Sequence, residues 1–183
     1  MPSVVVKISG KETGTSRIVP YSHADGLQNY PAGHAKSGQP VIYKINKYEI
    51  VVVGGGKYDA IRFGLQNKGT LSPSRVADAG LTSPRTVHPT WVVGYSPHSF
   101  RGGPYAGAWR ILPGKGFLIH EGADSRVGQV GGSLGCVEVL DGGWSVFMDE
   151  LKAMSGESWP NIASKRLLTV EVASASYPIA TLV

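Results

Sequence analysis

Residues 117–141 read FLIHEGADSRVGQVGGSLGCVEVLD, and this stretch decides how the rest of the chain is interpreted. Each end of it has the pattern of a β-strand: a short apolar run leads to His120, and apolar and polar residues alternate after Cys136. The glycines between them, including Gly135, permit backbone conformations that other residues resist. We therefore expect the loop to fold back and bring the sulfur of Cys136 to the imidazole of His120.

Cys136 is the single cysteine of the chain. A thiol has an ordinary pKa of about 8.5, so a nucleophilic cysteine needs an imidazole or a cation beside it to form a thiolate at neutral pH. Gly135 is the small residue expected directly before such a nucleophile, and the backbone N–H groups of Gly135 and Cys136 are suited to bind the oxygen of a carbonyl under attack. A lone cysteine is more often a small buried apolar residue, and a lone histidine is more often a packing residue. The pattern around these two residues favours catalysis over that alternative.

The same residues resemble a known active-site signature. His120, Gly122 and the run Ser133-Leu134-Gly135-Cys136-Val137 are similar to the L,D-transpeptidase (YkuD-type) catalytic domain, in which a histidine is followed after a loop by Ser-His-Gly-Cys-Ile-Arg. A second similarity lies upstream, where residues 102–109 read GGPYAGAW and resemble the family's Gly-Gly-Pro-Phe-Gly segment. The two similarities span residues 101–141, under a quarter of the chain.

The chain departs from the family pattern at two positions. Leu134 stands where the family has a histidine, and Glu138 stands where it has an arginine. Arg101, Arg110 or Arg126 could supply the missing positive charge, and Glu138 could instead pair with an ammonium group of the substrate. The resemblance therefore implies these substrate-binding residues: Arg126, Glu138, Leu134, Tyr105 and Arg110.

The resemblance implies cysteine-dependent acyl transfer on peptidoglycan stem peptides. Cys136 would attack the carbonyl before the terminal D-alanine to give a thioester, His120 would move the proton, and Gly135 would help to bind the oxyanion. Ser133 has either a hydrogen-bonding role in the site or a purely structural role in the turn. Cross-linking, D-amino acid exchange and carboxypeptidase release all remain open as outcomes. The alternatives are a non-catalytic wall-binding β module, and a pseudoenzyme in which the change at Glu138 has abolished turnover.

Composition limits the other classes of function. The 183 residues are sized for one domain, and an apolar fraction of 42% allows a real core. A formal charge of +5 suits an anionic partner, but the basic residues are dispersed, so we expect cell-wall polymer and not nucleic acid. One cysteine excludes an intramolecular disulfide, and no stretch has the length of a membrane span. The histidines lack the spacing of a metal site, so neither a metal nor another cofactor is expected.

The amino terminus suggests a route of delivery. It has neither the basic region nor the long apolar region of a signal peptide. Together with the departures at Leu134 and Glu138, this feature favours a secreted antibacterial effector. Such a protein would be delivered by a dedicated system, act in the periplasm or cell wall, and have an immunity or secretion-adaptor protein as a further partner.

The fold expected from these patterns is a single L,D-transpeptidase-like catalytic domain over residues 1–183. It comprises an N-terminal β region at 1–56, an insertion or flap at 57–89 and a catalytic core at 90–173. The resemblance implies a β-sandwich or flattened barrel with one principal α-helix after the nucleophile strand.

Local patterns predict the individual elements. Strands are expected at residues 3–9, 90–95, 108–112 and 166–173, and a hairpin within 40–53 is expected to turn at Asn46-Lys47, before a glycine turn at 54–56. Asp141 is the expected N-cap of the helix, and Gly156 is placed to end it. Apolar residues recur on one helix face and should pack on the core: Trp144, Phe147, Met148 and Leu151.

Overall fold

The computed structural model describes residues 2–18, 42–63, 82–94, 103–112, 116–128, 135–177 and 181–183. Of these residues, 48% lie in strands and 20% in helices, which confirms the predicted mainly β class. The strands are β1 (Val4–Ile18), β2 (Tyr43–Val52), β3 (Lys57–Ile61), β4 (Arg85–Val87), β5 (Thr90–Val93), β6 (Gly107–Leu112), β7 (Phe117–Glu121), β8 (Val137–Val139), β9 (Leu168–Val172) and β10 (Thr181–Leu182). The helices are α1 (Gly143–Ser155) and α2 (Trp159–Ser164), with 3₁₀ turns at Gly103–Tyr105 and Ser125–Val127.

The described strands form one sheet that curls into a half-barrel, in the order β4-β9-β1-β2-β3-β8-β7-β6-β5, and β10 pairs with β2. Most neighbouring strands are antiparallel, but β1 with β9 and β7 with β8 are parallel. A parallel pair cannot be closed by a tight hairpin turn. The chain must therefore return from the end of β7 to the start of β8 by a longer crossover loop, of which residues 122–128, 135 and 136 are described.

The hairpin predicted at Asn46-Lys47 is wrong. Residues Tyr43–Val52 form one continuous strand, β2, in which Asn46 pairs with Thr15 and Lys47 with Gly14 of β1. The polar pair lies where the ladder between β1 and β2 shifts register, so it marks an irregularity inside a strand and not a turn. The glycine turn at 54–56 is confirmed, since it joins β2 to β3 with Gly54 at a φ of 82°.

Helix α1 agrees with the predicted periodicity. Its buried residues include Trp144, Phe147, Met148 and Leu151, and Gly156 ends it at a φ of 71°. The predicted N-cap is wrong, because the cap position belongs to Gly142, which lies at a φ of 73°. The short helix α2 was not predicted, although Ser158 followed by a proline in the first turn is a recognised start signal. No described helix combines the length and apolar character needed to cross a membrane.

Two apolar clusters lie against the sheet. The larger one joins α1 and α2 to strand residues such as Trp109, Ile119, Val137 and Val139. The second cluster includes Tyr48, Ile61 and Phe63, with Ile18, Tyr43, Ile45 and Leu140. Strands β7 and β8 carry residues of the larger cluster on one face, and the side chains between those residues point to the opposite face. The candidate site lies on that opposite face.

Candidate active site

The parallel pairing of β7 and β8 sets the positions of the candidate residues. Ile119 lies opposite Val137, and His120 lies opposite Glu138. Cys136 directly precedes β8, and continuing the ladder by one residue sets it beside Leu118. From a strand spacing of about 4.8 Å and a rise of about 3.3 Å per residue, its Cα is about 8 Å from that of His120. Residues that are sixteen positions apart in the chain thus lie on adjacent strands, while contact between the sulfur and the imidazole stays a prediction.

The burial of neighbouring residues shows which face of the sheet carries the candidate side chains. Ile119, Val137 and Val139 belong to the cluster under the helices. Because side chains alternate along a strand, His120 and Glu138 point to the other face, and Cys136 is two residues before Glu138. The Sγ atom of Cys136 lies 3.8 Å from the carbonyl oxygen of Gly116, just before β7. The thiol is therefore at the amino-terminal end of the parallel pair.

His120 is buried, and its ring orientation follows from one hydrogen bond. Its Nδ1 atom lies 2.6 Å from the backbone carbonyl oxygen of Glu121. A carbonyl oxygen only accepts, so Nδ1 carries the hydrogen in this bond. In the neutral ring the lone pair is then on Nε2, which can accept a proton. In this tautomer Nε2 is the ring nitrogen that is available to act as a base.

The backbone conformation of Gly135 explains why a glycine stands directly before Cys136. It is buried, directly precedes Cys136 and has a φ of 128°, a region that residues with a Cβ rarely adopt. A larger residue would therefore strain the backbone that delivers the thiol. The sequence analysis expected a small residue before the nucleophile, and the backbone angle supplies the physical reason for it.

Glu138 is fully buried at 0% exposure, beside His120 at 2%. On its other side it faces Ile61 of β3. Gly122 approaches it closely, because a Cβ atom at that position would lie 2.7 Å from the Cβ of Glu138. The carboxyl group expected to bind substrate is thus packed inside the molecule, next to the candidate base.

The arginines proposed to supply a positive charge differ in their surroundings. Arg126 is exposed and makes two hydrogen bonds to Asp124, with Nε–Oδ1 at 2.8 Å and Nη2–Oδ2 at 2.7 Å. Its hydrogen bonding to the Asp124 carboxylate raises the pKa of Arg126. Arg110 is exposed on β6 and lies opposite Leu118, on the face of the sheet that carries His120. Arg101 lies outside the described residues.

Tyr105 contacts the two helices. Its hydroxyl donates to Asp149 at 2.7 Å, and its backbone carbonyl accepts from the indole N–H of Trp144 at 3.0 Å. Its ring lies against Trp159, with centroids 5.6 Å apart. These contacts are with α1 and α2, which pack on the other face of the sheet. Ser133 and Leu134 lie outside the described residues.

Asp141 has a role that the sequence analysis missed. Its Oδ1 atom accepts hydrogen bonds from the backbone N–H of Ser125 at 2.8 Å and from the hydroxyl of Ser125 at 2.6 Å. Its backbone N–H donates to the carbonyl of Ala123 at 2.9 Å. Asp141 thus holds the described part of the crossover loop and does not cap the helix. A left-handed φ of 54° places its side chain there, and aspartate tolerates this region better than most residues.

Among the described residues, no group of three histidine, cysteine or acidic side chains is arranged to hold a metal ion. Comparisons of the chain with protein-family models, with curated proteins and with solved structures found no match.

Proposed function

We propose that this protein is a cysteine acyltransferase or peptidase of the L,D-transpeptidase type, which acts on peptidoglycan stem peptides. Cys136 is the nucleophile and His120 is the general base. The proposal rests on the sequence resemblance and on a site geometry that is compatible with it. Within the mainly β class, we propose that the protein has the β-sandwich or flattened barrel of that family.

The observation that carries the proposal is the arrangement of His120 on the parallel β7–β8 pair. Its Nδ1–H is held by the carbonyl of Glu121 at 2.6 Å, and Cys136 adjoins the same face at the start of β8. A histidine that only filled space in the core would not need a following loop that returns the chain to the adjacent strand with a cysteine at its start. A nucleophile and a base within reach of one another are the minimum requirement for covalent catalysis.

The reaction proceeds in two steps. The thiol proton of Cys136 moves to Nε2 of His120 as sulfur bonds to the carbonyl carbon before the terminal D-alanine. The backbone N–H groups of Gly135 and Cys136 stabilise the oxyanion. The carbon–nitrogen bond then breaks, His120 returns the proton to the departing amine of D-alanine, and a thioester remains. An amine of another stem, a D-amino acid or water then attacks the thioester and regenerates the thiol.

Arg110 is the residue proposed to bind the terminal carboxylate of the stem peptide. It is exposed on the face that carries His120, whereas the guanidinium of Arg126 is already paired with Asp124. Arg110→Gln is therefore expected to raise KM more than it lowers kcat. Arg17→Gln, at an exposed arginine of β1, is the matched control and is expected to leave KM unchanged.

The test incubates the purified protein with a disaccharide-tetrapeptide and measures both the intact mass of the protein and the muropeptide products. Wild-type protein should gain an acyl adduct and release D-alanine. Cys136→Ala should form no adduct, and His120→Ala should be slower by about 10²–10⁴-fold, the usual contribution of a general base. His88→Ala, at an exposed histidine hydrogen-bonded to the carbonyl of Leu168, is the control for histidine substitution.

The products separate the three outcomes of the thioester. A dimer indicates cross-linking, an altered terminal residue indicates exchange, and a tripeptide indicates carboxypeptidase action. If the folded wild-type protein forms neither adduct nor product, the acyltransferase proposal fails. Glycan binding that survives Cys136→Ala would then favour the wall-binding module, and tetrapeptide binding without thioester formation would favour the pseudoenzyme.

The proposed site of action is the periplasm or cell wall, reached through a dedicated secretion system. The test expresses the chain in a bacterial host with and without an added export signal. Growth should be inhibited only when the exported chain retains Cys136. Equal growth with exported wild-type and exported Cys136→Ala protein would contradict an effector role.

A further inference from the structure

We propose that Glu138 is a positioning residue whose buried carboxylate raises the pKa of His120 and stabilises the imidazolium that forms when His120 takes the proton of Cys136. This inference deepens the proposed function and rests on His120 being its base. It assigns to Glu138 a role inside the protein, in place of contact with a substrate ammonium group.

The pairing of the two residues carries the inference. His120 and Glu138 are direct partners in the parallel ladder of β7 and β8. Parallel partners lie on the same face of a sheet, with backbones about 4.8 Å apart. The side chains are exposed by only 2% and 0%, so both groups are removed from water together.

The surroundings of the pair are apolar on both flanks. Ile61 faces Glu138 from β3 and is fully buried. On β6, the ladder runs from the Trp109–Ile119 pair to Ala108 beside His120, and Ala108 is also buried. Gly122 leaves the space that the Glu138 side chain needs, since a Cβ there would meet the Cβ of Glu138 at 2.7 Å. The fold therefore encloses the Glu138 side chain closely, at the position on β8 that pairs with His120.

Burial has opposite effects on the two groups when each is alone. It raises the pKa of a carboxyl group and lowers the pKa of an imidazole, because it disfavours both charged forms. When the groups are adjacent, one proton on the imidazole gives a carboxylate and an imidazolium that stabilise each other. The pKa of His120 is consequently expected to lie above its ordinary value, and the neutral ring remains the form that takes the proton of Cys136.

Other described charged groups lie on the strands and helices around the pair. Arg110 on β6 is exposed, so solvent screens its charge. Arg62 follows Ile61 on the β3 side, and its guanidinium donates to the backbone carbonyls of Ser9 at 2.6 Å and Ala173 at 2.8 Å. Glu121 alternates to the opposite face of β7, and the charged residues of α1 also lie on that side of the sheet. Cys136, two residues before Glu138, is a further titratable group near the pair, and Tyr43 and Tyr48 belong to the same apolar cluster as Ile61.

The pair also affects the chemistry of the thiol. A more basic His120 accepts the proton of Cys136 more readily and holds it until the leaving amine departs. Replacing Glu138 with glutamine removes the charge but keeps the size of the side chain. The pKa of His120 should then fall, and the limb of the pH–rate profile that reports His120 should move to lower pH by the same amount.

The experiment is an NMR titration of the histidine ring resonances in the full chain. The chain has five histidines, and the His120 signal is identified by its loss in His120→Gln. In wild-type protein the pKa of His120 should exceed the ordinary value of about 6.5. In Glu138→Gln it should fall by about one pH unit or more, and Glu138→Asp should retain an elevated value. Glu49→Gln is the control. It removes a carboxylate of β2 that pairs with Lys57 of β3, and it should leave the titration of His120 unchanged.

The titration needs no enzyme activity, so it separates this inference from the proposed function. A His120 pKa at or below the ordinary value in wild-type protein overturns the ion pair, even if Glu138→Gln does not fold. An unchanged His120 pKa in folded Glu138→Gln also overturns it, while acyl transfer by the same protein would leave the proposed function intact. Conversely, a Glu138-dependent His120 pKa without acyl transfer would support the pair and refute the function.

Discussion

Gly122→Ala tests whether the close approach of the crossover loop to β8 holds the candidate site together. Gly122 is buried just after β7, and its N–H donates to the carbonyl of Val139 at 2.8 Å. A Cβ at this position would lie 2.7 Å from the Cβ of Glu138, 3.0 Å from Cδ2 of Leu140 and 3.1 Å from the carbonyl oxygen of Val139. Carbon atoms normally pack at about 3.5–4.0 Å. The added methyl group must therefore push β8 away from the loop.

The size of the effect follows from this overlap. Overpacking of a buried site costs about 1–3 kcal/mol, and the stiffer unfolded chain offsets about 0.4–1 kcal/mol of the loss. The nearest atom is the Cβ of Glu138, and neither this atom nor the backbone oxygen of Val139 can move without the strand, although the end of the Leu140 side chain can. We therefore expect a net loss of about 2 kcal/mol in the free energy of unfolding. In a domain of this size that corresponds to a fall of about 4–8 °C in Tm.

The assay combines thermal and urea unfolding with the NMR titration of His120. Gly128→Ala is the matched control in the same loop, where a Cβ would meet no atom within 4 Å and only the φ of 77° opposes the substitution. That control should lose about 1 kcal/mol through backbone strain and leave the His120 signal unchanged. Gly122→Ala should shift the His120 signal as well. A Gly122→Ala protein that melts within about 1 °C of wild type, with an unchanged His120 titration, would refute the reasoning.

Three further substitutions test other contacts. Glu150→Ala removes the acceptor of the Tyr58 hydroxyl bond at 2.8 Å, and unfolding in urea should show a loss of about 1.5–3 kcal/mol; an unchanged midpoint would contradict a stabilising role. Asp141→Ala removes both hydrogen bonds to Ser125 and should lose about 1–2 kcal/mol, whereas Asp141→Asn, which keeps an acceptor and tolerates the φ of 54°, should lose less. Hydrogen bonds lower the pKa of Glu157 below 4.5, so its contribution to stability is present above that value and is lost as the pH falls through the lowered pKa. The stability difference between wild type and Glu157→Gln should therefore be constant near pH 7 and shrink as the pH falls below 4.5, and a difference that stays constant in acid would contradict this assignment.

Part of the fold could be predicted because it depends on local patterns. The spacing of Trp144, Phe147, Met148 and Leu151 gives one apolar face only in a helix, and Gly156 can adopt the left-handed angle that ends it. The strands around His120 and Cys136 were recognised in the same way. The error at Asn46-Lys47 arose because a polar pair between apolar runs is compatible with either a turn or an irregular strand. The pairing of Asn46 and Lys47 with β1 makes this segment part of a continuous strand.

The candidate site could also be predicted only in part from local sequence patterns. The types of residue and their order were evident in the chain: a histidine, a glycine-rich loop and a cysteine after a glycine. Their relative orientation depends on the register of β7 against β8, and a slip of one residue would turn His120 to the other face. The burial of Glu138 beside His120 and the use of Asp141 to hold Ser125 also depend on that register.

By itself, the sequence determined which short segments become strands or helix, and which residues carry reactive groups, since both depend on neighbours a few positions apart. Only the tertiary structure decided that β7 and β8 run parallel, that Glu138 is buried as the partner of His120, and that Tyr105 faces the helices. These features arise from contacts between residues that are distant in the chain. Their energies depend on packing and on removal from water, which local composition does not encode.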